Sequence, residues 1–109
     1  MKAYGKPAND FRLIVKSAMM GRVEFELIQP VSGESVLMEF LEKKGEGINH
    51  LAFLVDDIEK ERVNLQKKGF NVVLEAKFVG GGGFAYFDTN RVGNIHFELI
   101  QWPPGLSGF

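Results

Sequence analysis

The 109-residue chain is 45% hydrophobic and 25% charged, with a formal net charge of −1, a composition typical of one soluble globular domain. Its 13 Lys and Arg residues are scattered and balanced by 14 Asp and Glu residues, which argues against a nucleic-acid or membrane partner. Because the chain has no cysteine, disulfides, thiolate nucleophiles and cysteine-ligated metals are excluded. No apolar run is long enough for a membrane span or a signal-peptide core, and we expect a cytoplasmic location.

The first thirty residues predict two strands joined by a turn. Residues Met1–Asp10 are polar and broken by glycine and proline, and they are interpreted as an edge strand or a loop. Phe11–Lys16 is predicted to be a strand from its β-branched and aromatic content. Ser17–Gly21 is interpreted as a turn and Arg22–Gln29 as the return strand, which we expect Pro30 to end because proline cannot donate to a ladder.

A short helix and a strong strand follow. Ser35 is a candidate N-cap, and the helix is predicted to stop at Lys43–Gly45, where cations are followed by glycine. Apolar residues between these limits recur at helical spacing: Val36, Leu37, Phe40 and Leu41. The run Ile48–Val55 then predicts a strand.

The second half of the chain predicts the order strand, helix, strand, strand, strand. The pattern Asp56-x-x-Glu59 is typical of a capping box and predicts a helix over Asp57–Lys68, with Gly69 just beyond its end. The remaining predicted elements are the strands Phe70–Leu74, Phe84–Phe87 and Val92–Gln101 and the loop Gly80–Gly83.

The pentapeptide Phe-Glu-Leu-Ile-Gln occurs twice, at Phe25–Gln29 and at Phe97–Gln101. This repeat predicts two copies of one supersecondary unit, each ending in the same strand. Each copy places a glutamate, Glu26 or Glu98, in a mostly apolar strand. A carboxylate there is costly to bury unless it is paired or bound to a cation.

Side chains alternate across a strand, so each of these strands has an apolar face and a mixed face. The apolar face of Ile48–Val55 is expected to pack against helices, and its mixed face carries His50. If the mixed faces line one concavity, Glu26, His50 and Glu98 converge there. Two carboxylates and an imidazole suit a divalent metal such as Zn, Ni, Co, Mn or Fe, with coordination positions left open.

Each of these residues also has a simpler interpretation. On the residues alone, Glu26 and Glu98 are better interpreted as solvated residues on a half-exposed sheet, and His50 as an ordinary half-buried histidine. His96 shares the face of Glu98 and is interpreted as a surface histidine or a pocket residue. Glu24 is a weaker candidate for a base than for a solvated charge. The loop Gly80–Gly83 is either a flexible connection or a phosphate-binding turn, although no Lys-Ser/Thr follows it.

The order of elements resembles the vicinal-oxygen-chelate (glyoxalase/bleomycin-resistance/dioxygenase) superfamily, and residues 25–30 and 40–58 look most similar to methylmalonyl-CoA epimerases and lactoylglutathione-lyase-like proteins. The resemblance implies an α+β fold of paired βαβββ modules that form a curved mixed sheet with helices on its convex face. In this chain the first module lacks its opening strand and helix. The implied organisation is a single domain with an incomplete first module and connecting helix at 1–47, a complete second module at 48–102 and a tail at 103–109.

The resemblance also implies a site and a chemistry. Glu26, His50 and Glu98 match metal-ligand positions, and Glu98 is the candidate proton shuttle. Asn49 stands where the epimerases often have a second histidine. We expect the side chain at this position to face the helices. The implied reaction is metal-dependent proton transfer next to a carbonyl, on an acyl-CoA or a thiohemiacetal, in a homodimer. The fourth ligand of the superfamily lies on the absent opening strand. The alternatives are a metal-free small-molecule-binding module of the drug-resistance type and a non-catalytic truncated homologue.

Overall fold

The computed structural model describes residues 1–106 of the chain. Within them the strands and helices, in chain order, are β1 (Lys2–Ala3), β2 (Lys6–Pro7), β3 (Arg12–Met20), β4 (Val23–Ser32), α1 (Val36–Lys44), β5 (His50–Leu54), α2 (Ile58–Lys67), β6 (Val72–Lys77), β7 (Gly83–Phe87), α3 (Asn90–Gly93) and β8 (His96–Gln101). The predicted tail, 103–109, ends in residues that lie outside the described part of the chain.

The second half of the chain folds as the predicted βαβββ module. Strand β5 runs parallel to β8, and β8, β7 and β6 form an antiparallel meander. The short hairpin β1–β2 adds to the far edge through β1 and β6, which completes a six-stranded sheet in the order β2-β1-β6-β7-β8-β5. The expected α+β fold with a mixed curved sheet is therefore confirmed, and residues 1–10 do contribute an edge strand.

Strands β3 and β4 form a separate two-stranded sheet. The predicted turn at Ser17–Gly21 is wrong, because β3 continues to Met20, opposite Val23, and the chain reverses at Gly21 with a φ of 65°. Pro30 does not end β4, which continues to Ser32. Proline is tolerated there because β4 has no partner strand on its other edge among the described residues, so no ladder bond is lost on that side.

The two longer helices lie on opposite faces of the six-stranded sheet. Helix α2 packs through Ile58 onto the face that carries Ala85, Phe87 and Leu99. Helix α1 packs on the other face, where Val36 and Leu37 join a cluster with Val73, Leu74 and Tyr86. Both helices were expected on one face of the sheet. Helix α2 lies on the face opposite Glu98, as expected, whereas α1 covers the face that carries Glu98. A bulge between Val72 and Leu74 explains why the adjacent residues Val73 and Leu74 of β6 enter the same cluster, although neighbours on a strand normally point to opposite faces.

The ends of the helices follow the capping rules, with one correction. The Ser35 hydroxyl accepts a hydrogen bond from the Met38 amide at 3.0 Å and Gly45 follows α1, both as predicted. Helix α2 begins one residue later than the capping-box prediction, because Asp57 rather than Asp56 is the N-cap and accepts from the Lys60 amide at 3.1 Å. Among residues 1–106, no helix is long and apolar enough to cross a membrane.

The remaining differences lie in the connections. The predicted last strand starts later, because residues Asn90–Gly93 form the short helix α3. The predicted strand from Phe70 is shifted to Val72–Lys77. In the glycine loop, Gly82 has a φ of 74°, and a Cβ there would lie 2.1 Å from the Gln101 carbonyl oxygen. At position 82 of this turn between β6 and β7, only glycine fits.

Candidate functional site

Three strands bring together the three residues that the sequence singles out. Glu26 comes from β4, His50 from the start of β5 and Glu98 from the middle of β8. The His50 Nε2 lies 3.2 Å from the Glu98 Oε1 and 3.8 Å from the Glu26 Oε1. The side chains of His50 and Glu98 are 13% and 10% exposed, whereas that of Glu26 is 35% exposed at the rim. The role of these residues as ligands stays a prediction.

The strand register explains how His50 and Glu98 meet. In the parallel pair β5–β8, His50 lies opposite His96, and Glu98 is two residues further along β8. Residues two apart on a strand point to the same face, so Glu98 and His96 share the face of His50. The hairpin β3–β4 then supplies Glu26 from outside this sheet, since Leu13 and Ile28 of the hairpin pack against the cluster around α1.

Tyr86 is a site residue that the sequence analysis missed. It lies directly opposite Glu98 in the β7–β8 pair and is hydrogen-bonded to its carboxyl group. Its hydroxyl oxygen is also 3.4 Å from the His50 Nε2, and the two rings are 4.8 Å apart. The available signal was its place in the predicted strand Phe84–Phe87, where a polar hydroxyl interrupts an apolar run, but pairing with Glu98 required the register.

Burial controls the ionisation of the site. Glu98 is buried, and this burial, aided by the negative charge of Glu26, raises its pKa to about 8, while the hydrogen bond from Tyr86 partly opposes the shift. Burial also raises the pKa of Glu26, with Glu24 contributing in the same direction. Burial and the neighbouring His96 lower the pKa of His50 to about 4.

These pKa shifts determine whether the short contact between His50 and Glu98 is an ion pair or a hydrogen bond between neutral groups. At pH 7 the imidazole is neutral, and the Glu98 carboxyl group keeps its proton in most molecules, because their pKa values lie on opposite sides of neutrality. The contact of 3.2 Å is therefore a hydrogen bond between neutral groups rather than an ion pair. Among residues 1–106, no Lys or Arg forms an ion pair with Glu98, so the chain itself supplies no cation to neutralise this carboxylate.

The two neighbouring polar residues are placed differently from expectation. His96 is not at the surface: it is 5% exposed and its Nδ1 donates to the Phe87 carbonyl oxygen at 3.0 Å. Asn49 was expected to face the helices, but its Oδ1 lies 2.9 Å from the Nδ1 of His50. His96 therefore shapes the wall beside the site, and Asn49 contacts the back of the His50 ring.

The donor atoms at the site are of the types that bind a divalent metal, although the three side chains are not arranged as ligands of one ion. An imidazole nitrogen and two carboxylates suit transition metals, and a buried carboxylate without a cationic partner is what a bound cation would stabilise. Within the described residues, however, no group of three or more His, Cys, Asp or Glu side chains is arranged to hold a metal ion. Glu26 is the more distant member, at 3.8 Å from His50, so it is the residue that would have to move inward.

Comparison with known proteins agrees with this fold and identifies the family. The Glyoxalase/Bleomycin resistance protein/Dioxygenase superfamily matches residues 4–87, and the chain belongs to this superfamily. The expected relationship is thus confirmed.

Two curated relatives differ in what is known of them. The chain is 29% identical over 83 residues to the uncharacterized protein YqjC of Bacillus subtilis, covering 74% of this chain and 59% of the relative. It is 27% identical over 85 residues to the mitochondrial methylmalonyl-CoA epimerase of Bos taurus, covering 75% of this chain and 49% of that enzyme. The matches thus span only about half to three fifths of these relatives.

Solved structures show the same fold. A hypothetical protein from Bacillus halodurans superimposes with a TM-score of 0.68 at 21% identity, covering 90% of this chain and 80% of the other. The methylmalonyl-CoA epimerase from Mycobacterium tuberculosis superimposes with a TM-score of 0.65 at 23% identity, covering 95% of this chain and 73% of that enzyme.

Proposed function

We propose that this protein catalyses proton transfer at a carbon next to a carbonyl, in the manner of a methylmalonyl-CoA epimerase or a glyoxalase I. The observation that carries the proposal is the convergence of Glu26 and Glu98 on His50, where Glu98 is a buried carboxyl group with a pKa of about 8. A general base works best when its pKa is close to the working pH. Glu98 meets that condition because of its burial.

In the proposed mechanism Glu98 accepts the α-proton of the substrate and returns it. Tyr86 donates a hydrogen bond to the Glu98 carboxyl group and so orients it and favours its ionised form. His50 is neutral at pH 7 and adds no positive charge that would keep Glu98 ionised. A divalent metal held by Glu26, His50 and Glu98 would polarise the carbonyl next to the reacting carbon as a Lewis acid.

An acyl-CoA is the substrate class that the surface near the site favours over a thiohemiacetal. A cleft of about 390 Å³ reaches His96, and its wall carries three cationic side chains: Lys43, Lys44 and Arg91. Lys43 is paired with Glu39 and Arg91 with Asp88, which leaves Lys44 as the cation with no ion pair among the described residues. Phosphate groups of a CoA ester would find positive charge there.

The second candidate function is a metal-free module that binds a small molecule. The observation in its favour is the geometry of Glu26, which is partly exposed and lies 3.8 Å from His50 without forming a three-ligand group. Such a module would bind a ligand in the same concavity without exchanging its protons.

The test is exchange of the substrate α-proton in deuterium oxide, followed by NMR or mass spectrometry. The probes are methylmalonyl-CoA and the thiohemiacetal of glutathione and methylglyoxal, each with Co, Ni, Zn, Mn or Fe(II) and with a chelator. Metal-dependent exchange of one probe supports the enzyme, and the probe that exchanges identifies the substrate class. Binding of both probes without exchange under any metal would contradict catalysis and favour the binding module.

We further propose that the chain forms a homodimer through the outer face of the β3–β4 hairpin. The repeat offers an internal comparison, since Leu99 is 7% exposed beneath α2, whereas its counterpart Leu27 is 60% exposed with no helix above it among the described residues. The large apolar residues of this outer face are Ile14, Met20, Val23, Phe25 and Leu27, all 48–65% exposed. Lys16 and Gln29 share the face, but it is otherwise apolar, and a second copy of it is a suitable cover.

Val23→Glu is expected to convert the dimer to a monomer, because a charge buried in this contact must be desolvated. Light scattering after size-exclusion chromatography measures the mass directly. The matched control is Val79→Glu, since Val79 is fully exposed in the glycine loop, away from the hairpin. A monomeric wild type, or a Val23→Glu variant that remains dimeric, would contradict this interface.

A further inference from the structure

The ring of His50 lies between two different hydrogen-bonding environments. Its Nε2 faces the Glu98 and Glu26 carboxyl oxygens at 3.2 and 3.8 Å and the Tyr86 hydroxyl at 3.4 Å. Its Nδ1 faces a single group, the side-chain oxygen of Asn49, at 2.9 Å. A neutral imidazole has one N–H and one lone pair, so the two environments compete for the proton.

An ionised carboxylate on this side of the ring favours a proton on Nε2. In that tautomer His50 would donate to Glu98 or Glu26, and its lone pair would point to Asn49. The nitrogen that faces the site would then be unable to accept a proton or to ligate a metal. Whenever Glu98 or Glu26 is ionised, this side of the ring thus favours the tautomer that is unsuited to either role.

Asn49 acts against this preference from the other side of the ring. Its Oδ1 is an acceptor only, so the contact of 2.9 Å is a hydrogen bond only when the proton is on the Nδ1 of His50. It is also the shortest of the contacts made by the two ring nitrogens. The strength of a hydrogen bond falls with distance, so this geometry stabilises the Nδ1–H tautomer.

The backbone holds the Asn49 side chain in this position. The Asn49 carbonyl oxygen accepts a hydrogen bond from the His96 amide at 2.9 Å, which fixes the residue at the start of the β5–β8 ladder. Its Nδ2 is buried and has no hydrogen-bond partner among residues 1–106. A buried amide with one end unsatisfied is costly, and the hydrogen bond to His50 is the contact that accounts for an asparagine here.

We propose that Asn49 is a positioning residue whose side-chain oxygen holds His50 in the Nδ1–H tautomer, so that the lone pair of Nε2 faces Glu98 and Tyr86. This orientation leaves Nε2 able to accept a hydrogen bond from a protonated Glu98 or to ligate a metal. The importance of the tautomer for catalysis rests on the proposed function. The tautomer itself is a property of the folded chain and is measurable without substrate.

The experiment is a long-range ¹H–¹⁵N correlation spectrum of the two histidine rings in metal-free protein at pH 9, where the Glu98 carboxyl group is mostly ionised and competes for the ring proton. The wild type is expected to show His50 as the Nδ1–H tautomer. Asn49→Leu, which removes the acceptor at similar size, is expected to shift most of His50 to the Nε2–H tautomer. Asn49→Asp restores an acceptor at the same place and is expected to restore Nδ1–H.

His96 provides an internal control in the same spectrum. Its Nδ1 donates to the Phe87 carbonyl oxygen, so its tautomer is expected to stay unchanged in all three proteins, and a change there would reveal a general loss of structure. A wild-type His50 protonated on Nε2, or a folded Asn49→Leu variant with an unchanged His50, would overturn the proposal.

The functional consequence is measured separately, as the affinity for Zn by calorimetry and the rate of α-proton exchange. Loss of a group that orients a histidine ligand typically lowers metal affinity by about 10–100-fold, and we expect this for Asn49→Leu with recovery in Asn49→Asp. If the tautomer shifts as expected but no variant or wild type exchanges protons, the proposed function fails and the assignment of Asn49 stands. If the tautomer does not respond to Asn49→Leu, the assignment fails whatever the activity.

Discussion

Glu98→Gln is expected to reduce the rate of α-proton exchange by about 10²–10⁴-fold, the usual contribution of a positioned general base. Glutamine keeps the size and the hydrogen bonding of a protonated carboxyl group but cannot accept a proton from carbon. The buried position between His50 and Tyr86 is therefore expected to remain filled, and the fold to remain intact. Exchange of deuterium into methylmalonyl-CoA, measured with the best metal, gives the rate.

The matched control for this experiment is Glu46→Gln, which makes the same chemical change at an exposed position just before β5. The control is expected to exchange protons at the wild-type rate. Circular dichroism on both variants separates loss of chemistry from loss of structure. A folded Glu98→Gln variant that retains more than a tenth of the wild-type rate would remove Glu98 from the proposed mechanism.

The metal-free protein is expected to lose stability as the pH rises from about 6.5 to 8. The folded-state pKa of Glu98 is raised from 4.5 to about 8, so the folded state binds this proton more tightly than the unfolded state. Its contribution to stability is complete below pH 4.5 and is lost as the pH rises through 8. The raised pKa of Glu26 acts in the same direction.

His50 has the opposite effect at lower pH. Its pKa is lowered from 6.5 to about 4, so its contribution is complete above pH 6.5 and is lost as the pH falls through 4. The two effects oppose one another between pH 4.5 and 6.5, and the effect of Glu98 dominates above that range. At 1.36 kcal/mol per pH unit, the free energy of unfolding is expected to fall by about 2 kcal/mol between pH 6.5 and 8.

Urea titrations at a series of pH values measure this dependence, with Glu98→Gln as the informative variant. In that variant the fall above pH 6.5 is expected to be largely absent, because the titrating group has been replaced. A divalent metal added at pH 8 is expected to stabilise the wild type more than the variant, since only the wild type has the carboxylate. A wild-type profile that is flat or rises over this range would show that Glu98 is not a buried acid.

The local features of the sequence were enough to predict the second module and the candidate residues. Alternation of apolar and polar residues identified β5 and β8. The capping-box pattern at Asp56 and the glycine at position 69 identified α2. The repeated pentapeptide placed Glu26 and Glu98 in equivalent strands. These features depend on neighbours along the chain, and periodicity of side chains reports them directly. The superfamily followed from the same motifs and is confirmed.

Local features failed where a distant part of the chain decides the outcome. The apolar residues of α1 predicted a buried helix face but not the face of the sheet that it covers. Pro30 was expected to end β4, yet an open strand edge removes the usual penalty for proline. The N-cap moved from Asp56 to Asp57, although only Asp56 has a glutamate three residues later, so the capping-box pattern did not decide where α2 begins.

The sequence alone determined which donor side chains are available: one histidine and two glutamates, each in a strand of alternating apolar and polar residues. The chain has no cysteine that could act as a ligand instead. Which groups stand around them depended on folding, because strand register places Tyr86 opposite Glu98 and the turn into β5 places Asn49 behind His50. Ionisation depended on folding as well. A glutamate has an ordinary pKa in an unfolded chain, and only burial beside a second carboxylate raises that of Glu98 to about 8.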